Sequence, residues 1–220
     1  PWYSGPTLLE HLETVEIQAT ASQQGFRLPV QWVCRPHQNF RGFAGNIAAG
    51  KVGVGDDIVV TPSGVRSKVA SIIRGDKEVN EAYRGHSVII SLTDEIDISR
   101  GDIFVKAEES PVKTTLFKAQ LTHLDTQNLK LNYAYYLLAG TRKVKAMVKS
   151  IDKKLDIASL AFNAPETQAI QLNEIAEVTI KTAAPVLFDR YADNWTTGAG
   201  VLIDSQTNMT SAAIMLKEAE

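Results

Sequence analysis

The segment Gly45-Asn46-Ile47-Ala48-Ala49-Gly50-Lys51 has the spacing of a phosphate-binding loop, G-x-x-x-x-G-K. The residue that should follow the lysine is Ser or Thr, whose hydroxyl ligates magnesium. Val52 stands there instead, so the metal-binding oxygen is missing. A phosphate loop also runs from a strand into a helix, whose N-terminus faces the phosphates. Val52-Gly53-Val54-Gly55 cannot start a stable helix. The match is therefore read as chance, in a glycine-punctuated hairpin. No aspartate stands three residues before a glycine, so there is no D-x-x-G switch, and no N-K-x-D base-reading motif is present. The chain by itself is expected neither to bind nor to hydrolyse GTP.

Other chemistry-bearing residues are dispersed. His11, His37, His86 and His123 lie far apart and no helix pattern carries two on one face, so no metal-ligand set is expected. The single cysteine, Cys34, excludes an intrachain disulfide and a zinc site built on several thiolates. Its alternation with Leu28, Val30 and Trp32 predicts a buried structural thiol. No G-x-S-x-G elbow is present. Asp94-Glu95-Ile96-Asp97 reads as a solvated loop. The strongest charge feature is Arg142, Lys143, Lys145, Lys149, Lys153 and Lys154, six basic residues in thirteen positions opposed only by Asp152. Arg142, Lys143, Lys145 and Lys149 form a possible contact patch for an acidic partner or for phosphates. Its alternative is a solvated strand whose lysines discourage edge pairing. No catalytic residue is assigned.

The elements that hold these residues are mostly strands. Thr7 followed three residues later by Glu10 is a capping box, and Leu8, Leu12 and Val15 fall at helical spacing. One short amphipathic helix is expected there. After it the period changes to two. Gly42 and Gly45 predict a strand with a bulge or a close backbone approach. Runs at Ile58–Val60, Val65–Ile73, Ser87–Leu92 and Ile103–Val105 complete a set of short strands at barrel-like spacing. Glu108-Glu109-Ser110-Pro111 is a polar break. Beyond it the texture repeats, with Leu116 out of phase with Phe117, Ala119 and Leu121. The expected fold is all-β: two consecutive β-barrels preceded by one short helix. The expected divisions are 1–22 for helix and linker, 23–108 for the first barrel and 109–220 for the second.

Composition sets the outer limits. The chain has 220 residues, 44% of them hydrophobic and 22% charged, which is ordinary for a globular protein. The formal net charge is −2, so bulk charge gives no support to a basic nucleic-acid module. No apolar stretch approaches a membrane span and no signal sequence opens the chain, so no membrane partner is expected and a cytoplasmic setting fits.

Longer runs of wording carry a resemblance. Pro1-Trp2-Tyr3-Ser4-Gly5-Pro6-Thr7-Leu8-Leu9-Glu10, Phe40-Arg41-Gly42-Phe43-Ala44-Gly45, Val60-Thr61-Pro62-Ser63-Gly64-Val65 and Leu92-Thr93-Asp94-Glu95-Ile96-Asp97-Ile98-Ser99-Arg100-Gly101-Asp102 resemble the large, GTP-binding subunit of bacterial heterodimeric sulfate adenylyltransferases. Leu172-Asn173-Glu174-Ile175, Asp189-Arg190-Tyr191 and Ile203-Asp204-Ser205-Gln206-Thr207-Asn208-Met209-Thr210 extend the similarity through the second barrel. That family is a branch of the elongation-factor-Tu-like GTPases, with a GTPase domain followed by two barrels. The resemblance departs at Ser211-Ala212-Ala213-Ile214-Met215, where the family tends to a glycine-rich run. A changed path of the last strand is therefore expected.

The resemblance implies that the parent subunit, with GTP and magnesium as its cofactors, drives a small catalytic subunit to make adenylylsulfate and pyrophosphate from ATP and sulfate. The parent is then an enzyme, a nucleotidyltransferase, whereas this chain holds neither cofactor. The missing initial methionine and GTPase motifs lead to the expectation that the chain is such a subunit without its GTPase domain. Its helix would be the last of that domain, with a stripe that must find a barrel, another copy, or fray. The implied partners are the small subunit and the chain's own GTPase domain. The barrels would act as an interdomain lever and partner scaffold, with Arg41, Gly42 and Phe43 as an interdomain or partner surface. The alternative is a translation-factor-like barrel pair that binds tRNA or another acidic partner. A carbohydrate-binding module is disfavoured by the few scattered aromatics.

Overall fold

The computed structural model describes residues 2–15, 25–38, 40–109 and 111–220. The part of the expected linker from residue 16 to 22, and Ser110 of the polar break, lie outside the described residues.

The chain begins with helix α1 (Leu8–Thr14). The capping box is present: the Glu10 backbone N–H donates to Thr7 Oγ1 at 3.3 Å, and the Thr7 N–H donates to Glu10 Oε2 at 2.7 Å. These bonds satisfy donors that the first turn leaves orphaned. None of the helix residues is buried, and Leu12 is 63% exposed. Of the three fates expected for the stripe, packing on a barrel does not occur.

The first sheet domain contains β1 (Leu28–Pro29), β2 (Trp32–Cys34), β3 (Gly42–Asn46), β4 (Lys51–Gly53), β5 (Asp57–Thr61), β6 (Arg66–Arg74), β7 (Lys77–Val79), β8 (Glu81–Tyr83), β9 (Ser87–Leu92) and β10 (Ile103–Lys106). Its main sheet runs β1-β10-β5-β6-β9-β3-β2, and β4 pairs separately with β8. Residues 28–34 close this sheet as one bent segment. Leu28 and Pro29 pair with β10, whereas Trp32, Val33 and Cys34 pair with β3. The bend shifts the phase, since the side-chain period of a strand is two and an irregular residue inverts it. Val33 packs on the core, Cys34 is half-buried, and Trp32 is 62% exposed. The expectation that Trp32 and Cys34 share the buried face of Leu28 and Val30 is thus corrected. The phosphate-loop lookalike also differs from expectation. It connects β3 to β4, which pair with β9 and β8, so it is a crossover and no hairpin.

Gly45 explains how the barrel closes. A Cβ there would lie 2.4 Å from the Pro29 carbonyl oxygen. Only a residue without one lets β3 approach β1 this closely. The pairing of β3 with β9 runs without a register shift, so the close approach is realised and the bulge is not. Inside, the Phe43 and Phe104 rings meet edge to face at 5.5 Å, surrounded by Leu28, Ile58, Ile72 and Ile90. Such aromatic pairs add about 1 kcal/mol beyond area burial.

The second domain contains β11 (Val112–His123), β12 (Tyr135–Ala139), β13 (Arg142–Asp156), β14 (Ala161–Asn163), β15 (Ile175–Phe188), β16 (Ala199–Asp204) and β17 (Thr210–Ala219). The order β12-β16-β17-β11-β15-β13, with β13 pairing back to β12, is a closed six-stranded barrel. Its core takes the alternate residues of these strands, among them Phe117, Leu121, Leu137, Val148, Ile180 and Leu202. Branched and aromatic side chains fit this half-buried pleat. Leu116 is out of phase because the β11–β15 register shifts between Thr114 and Leu116. The last strand pairs with β11 and β16 but carries two register shifts, at Ser211 against β16 and at Lys217 against β11. Ala212, Ile214 and Leu216 point into the core, and no residue from 211 to 215 has positive φ. Alanine and isoleucine are unstrained on such extended backbone, and the irregular pairing falls at Ser211, where the departure from the glycine-rich wording begins.

The two domains meet at a polar and apolar joint. The Arg27 guanidinium is forked onto Asp189, with Nε to Oδ2 at 3.1 Å and Nη2 to Oδ1 at 3.2 Å, and Nη1 donates to Glu109. Glu109 also accepts the Phe26 N–H at 2.7 Å, and Asp189 accepts the Thr197 hydroxyl at 2.6 Å. Burial opposes the charge of Arg27, yet hydrogen bonds and charge from Asp189 and then Glu109 outweigh it and raise its pKa. Beside the fork, Ile103 and Val105 of the first barrel pack on Leu187 of the second. Gly101, with φ +101°, seats its turn against Thr141 and Arg142, where a Cβ would be 3.3 Å from Arg142 Cα.

Candidate functional site

The residues singled out in the sequence fall into two separate places. Around Arg41 the surface is a cleft of about 300 Å³, lined by Gln38, Phe40, Ser91, Leu92, Asp94 and Glu95. The glycine-flanked strand start fixes Arg41 here. A Cβ on Gly42 would strike Ile89 Cγ2 at 2.4 Å, so the strand lies flat against β9. The Arg41 guanidinium carbon sits 5.6 Å from the Phe43 ring centroid, and Nη2 donates to Asp97 Oδ1 at 3.3 Å. Its Nε is buried and has no hydrogen-bond partner among the described residues. Gly42 is buried and Phe43 is 2% exposed in the core. The expectation that all three residues form a surface is therefore corrected. Gly42 and Phe43 support Arg41 from beneath, and only Arg41 presents a side chain at the cleft.

The acidic run beside it is partly structural. Asp94 accepts the Ser67 hydroxyl at 2.7 Å, whereas Asp97 is fully exposed and, among the described residues, held by Arg41 alone. Nothing in the residue types alone signalled that Asp97 and Arg41, 56 positions apart, meet.

The basic run lies on β13, and the structure divides it. Arg142 turns toward the joint, with Nη1 4.0 Å from Asp102 Oδ1. It is thereby removed from the surface patch expected of it. The cause is the seating of the Gly101 turn on this strand's first residue. Lys153 and Lys154 pair with Glu177 and Glu174, at 3.8 and 2.7 Å. Lys154 with the Gln171 N–H holds the Glu174 carboxyl below its usual range, overcoming the burial that would raise it. Lys143, Lys145 and Lys149 remain exposed on the outer face. Lys143 Nζ lies 4.0 Å from the Tyr136 ring centroid, and Lys149 donates to Asn132 Oδ1 at 2.7 Å.

The turn from β16 into β17 is capped by Asp204. Oδ1 accepts the Gln206 and Thr207 N–H groups at 2.8 and 2.9 Å, and the Tyr133 hydroxyl at 3.4 Å. The Thr207 N–H foremost, against a smaller burial effect, lowers the Asp204 pKa. A carboxylate depressed in the folded state contributes stability above its unfolded pKa of about 4 and loses it as pH falls through the folded value. The melting temperature is therefore expected to decline below about pH 4. Asp204→Asn should flatten part of that decline, and an unchanged pH profile by calorimetry would refute the assignment.

Among the described residues no group of three or more His, Cys, Asp or Glu is placed to hold a metal, and no helix is long and apolar enough to cross a membrane. His123 is buried, with Nε2 2.7 Å from the Gln127 carbonyl oxygen.

Two β domains joined by a buried fork make a barrel pair of the translation-factor-like kind. A family described as GTP-eEF1A C-terminal domain-like matches residues 116–217. Crystal structures of Sup35 with GDP and with GMPPNP superpose with a TM-score of 0.83 over 100% of this chain and 53% of theirs, at 21% identity, which speaks to fold alone. The sequence is 41% identical over 219 residues to sulfate adenylyltransferase subunit 1 of Shewanella oneidensis and to that of Teredinibacter turnerae, covering 98% and 100% of this chain. It is 40% identical over 216 residues to the bifunctional enzyme NodQ of Rhizobium sp. strain BR816. Along nearly its whole length the chain is thus similar to sulfate adenylyltransferase subunit 1. It spans 45% and 46% of the two subunit 1 relatives and 34% of NodQ.

Proposed function

We propose that the chain is the two-barrel region of the GTP-binding subunit of a cytoplasmic sulfate adenylyltransferase. In this reading the full-length protein binds GTP with magnesium and couples its hydrolysis to a small subunit that forms adenylylsulfate from ATP and sulfate. The barrels transmit that coupling as a lever and hold the partner. The observation that carries the reading is identity of about 40% that runs through both barrels and the joint between them. A lever must move as one body, and the Arg27 fork supplies the coupling between barrels that such motion needs.

The test is assembly of the full-length protein with the small subunit, read by co-purification and by titration calorimetry. A stoichiometric complex is expected, and no complex would overturn the proposal. Arg41→Ala in that protein is expected to weaken the complex or the GTP-stimulated rate about tenfold, the usual cost of removing one anchoring arginine. Unchanged affinity and unchanged stimulation would remove Arg41 from the interface.

A further inference from the structure

The outer face of the second barrel carries an unusual pairing of charge and apolar surface. Strands β12, β13 and β16 lie side by side, with Tyr136 opposite Lys145 and Ile203, and Leu138 opposite Lys143 and Val201. Alternate residues of a strand share a face, so these side chains form two adjacent rows on the outside of the barrel. Tyr136, Leu138, Val201 and Ile203 are half-exposed, and the lysines beside them are exposed. One strand further, Met147 stands opposite Lys181 of β15, which is also exposed. Among the described residues Lys143, Lys145, Lys149 and Lys181 have no carboxylate within salt-bridge distance, although most other described barrel lysines do. The carboxylates on adjoining stretches are already engaged. Asp152 accepts from Ser150 and Thr179, and Asp204 caps its own turn. In a chain of net charge −2, a face of uncompensated lysines around an apolar strip is a local inversion of sign.

We propose that this face of β12, β13 and β16 docks an acidic protein surface with an apolar centre, supplied by the small subunit named above. The identity of the partner rests on the functional reading, and the surface itself on the charge and exposure of these strands. Apolar strips ringed by one sign of charge suit protein docking, in which the strip desolvates and the rim sets orientation and association rate. Nucleic acid is the weaker fit. Single strands need free aromatic faces for base stacking, and Lys143 already covers the Tyr136 ring.

The test uses the full-length protein, the small subunit, and titration calorimetry at two salt concentrations. Lys143→Glu/Lys145→Glu/Lys149→Glu is expected to weaken the complex by about tenfold or more, and to flatten its salt dependence. Leu138→Ser is expected to weaken it without changing that dependence. As a control, Lys51→Glu/Lys68→Glu/Lys77→Glu makes the same charge change on the first barrel and should leave affinity within about twofold. Matching melting temperatures establish that each variant is folded. Binding by the wild type with an unaffected β13 variant overturns this surface while leaving the functional reading standing. Equal losses in both triple variants would reduce the effect to net charge and overturn it as well. Failure of the wild type to bind the small subunit overturns both, and tRNA binding that the β13 triple variant abolishes would reassign the face to nucleic acid.

Discussion

Arg27→Met is expected to destabilise the chain by about 3–5 kcal/mol, the cost of breaking a buried ion pair by removing one partner. Arg27 is 8% exposed and serves two carboxylates, one on each side of the barrel junction. Without it, Glu109 and Asp189 stay behind as buried charges with fewer partners, each still tied to its own donor, the Phe26 N–H and the Thr197 hydroxyl. The apolar contact of Ile103 and Val105 with Leu187 remains, but it is small. Urea denaturation should show a lower midpoint, and the single transition should split as the barrels unfold separately. Adding Glu109→Gln and Asp189→Asn to Arg27→Met should recover a large part of the loss, because the stranded charges are then gone. A midpoint unchanged by Arg27→Met would mean that the fork contributes nothing to the joint.

Gly45→Ala is expected to cost about 3 kcal/mol, at the upper end for overpacking. The clash is with a backbone oxygen, that of Pro29 at 2.4 Å, which no side-chain rotation can relieve. The contact lies at the seam between β3 and the bent segment that closes the first barrel. Gly53→Ala is the matched control, since its Cβ would meet nothing nearer than the Asn80 carbonyl oxygen at 3.5 Å. Equal stability of the two variants, measured by thermal and urea unfolding, would contradict the seam.

The elements were legible where one local rule decided them. The Thr7–Glu10 capping box was readable because both of its bonds join residues three apart. Alternation placed the strands of both barrels, and the misfit of Leu116 foreshadowed a real register shift. What failed were properties set by partners far along the chain. The bend at residues 30–31 inverts the phase of Trp32, because β1 and β2 pair with different strands. The glycine run before Lys51 looked like a hairpin, although its strands pair with β9 and β8.

The candidate surfaces were readable only by residue type. Six basic residues in a row of thirteen gave no sign that Arg142 belongs to the barrel joint or that Lys153 and Lys154 are neutralised. Arg27 has no local signature in the sequence, because its partners are 82 and 162 positions away. Charge pairing over such separations is a property of topology, and one sequence contains no local trace of it.

The central claim is that these barrels belong to a GTP-driven subunit of sulfate activation. Its most direct measurement is adenylylsulfate formation from ATP and sulfate by the small subunit, with and without the full-length protein and GTP. Synthesis that rises on adding the full-length protein and GTP together, and falls toward the unstimulated rate with Arg27→Met, is the predicted result. Synthesis indifferent to the full-length protein and to GTP would contradict the account.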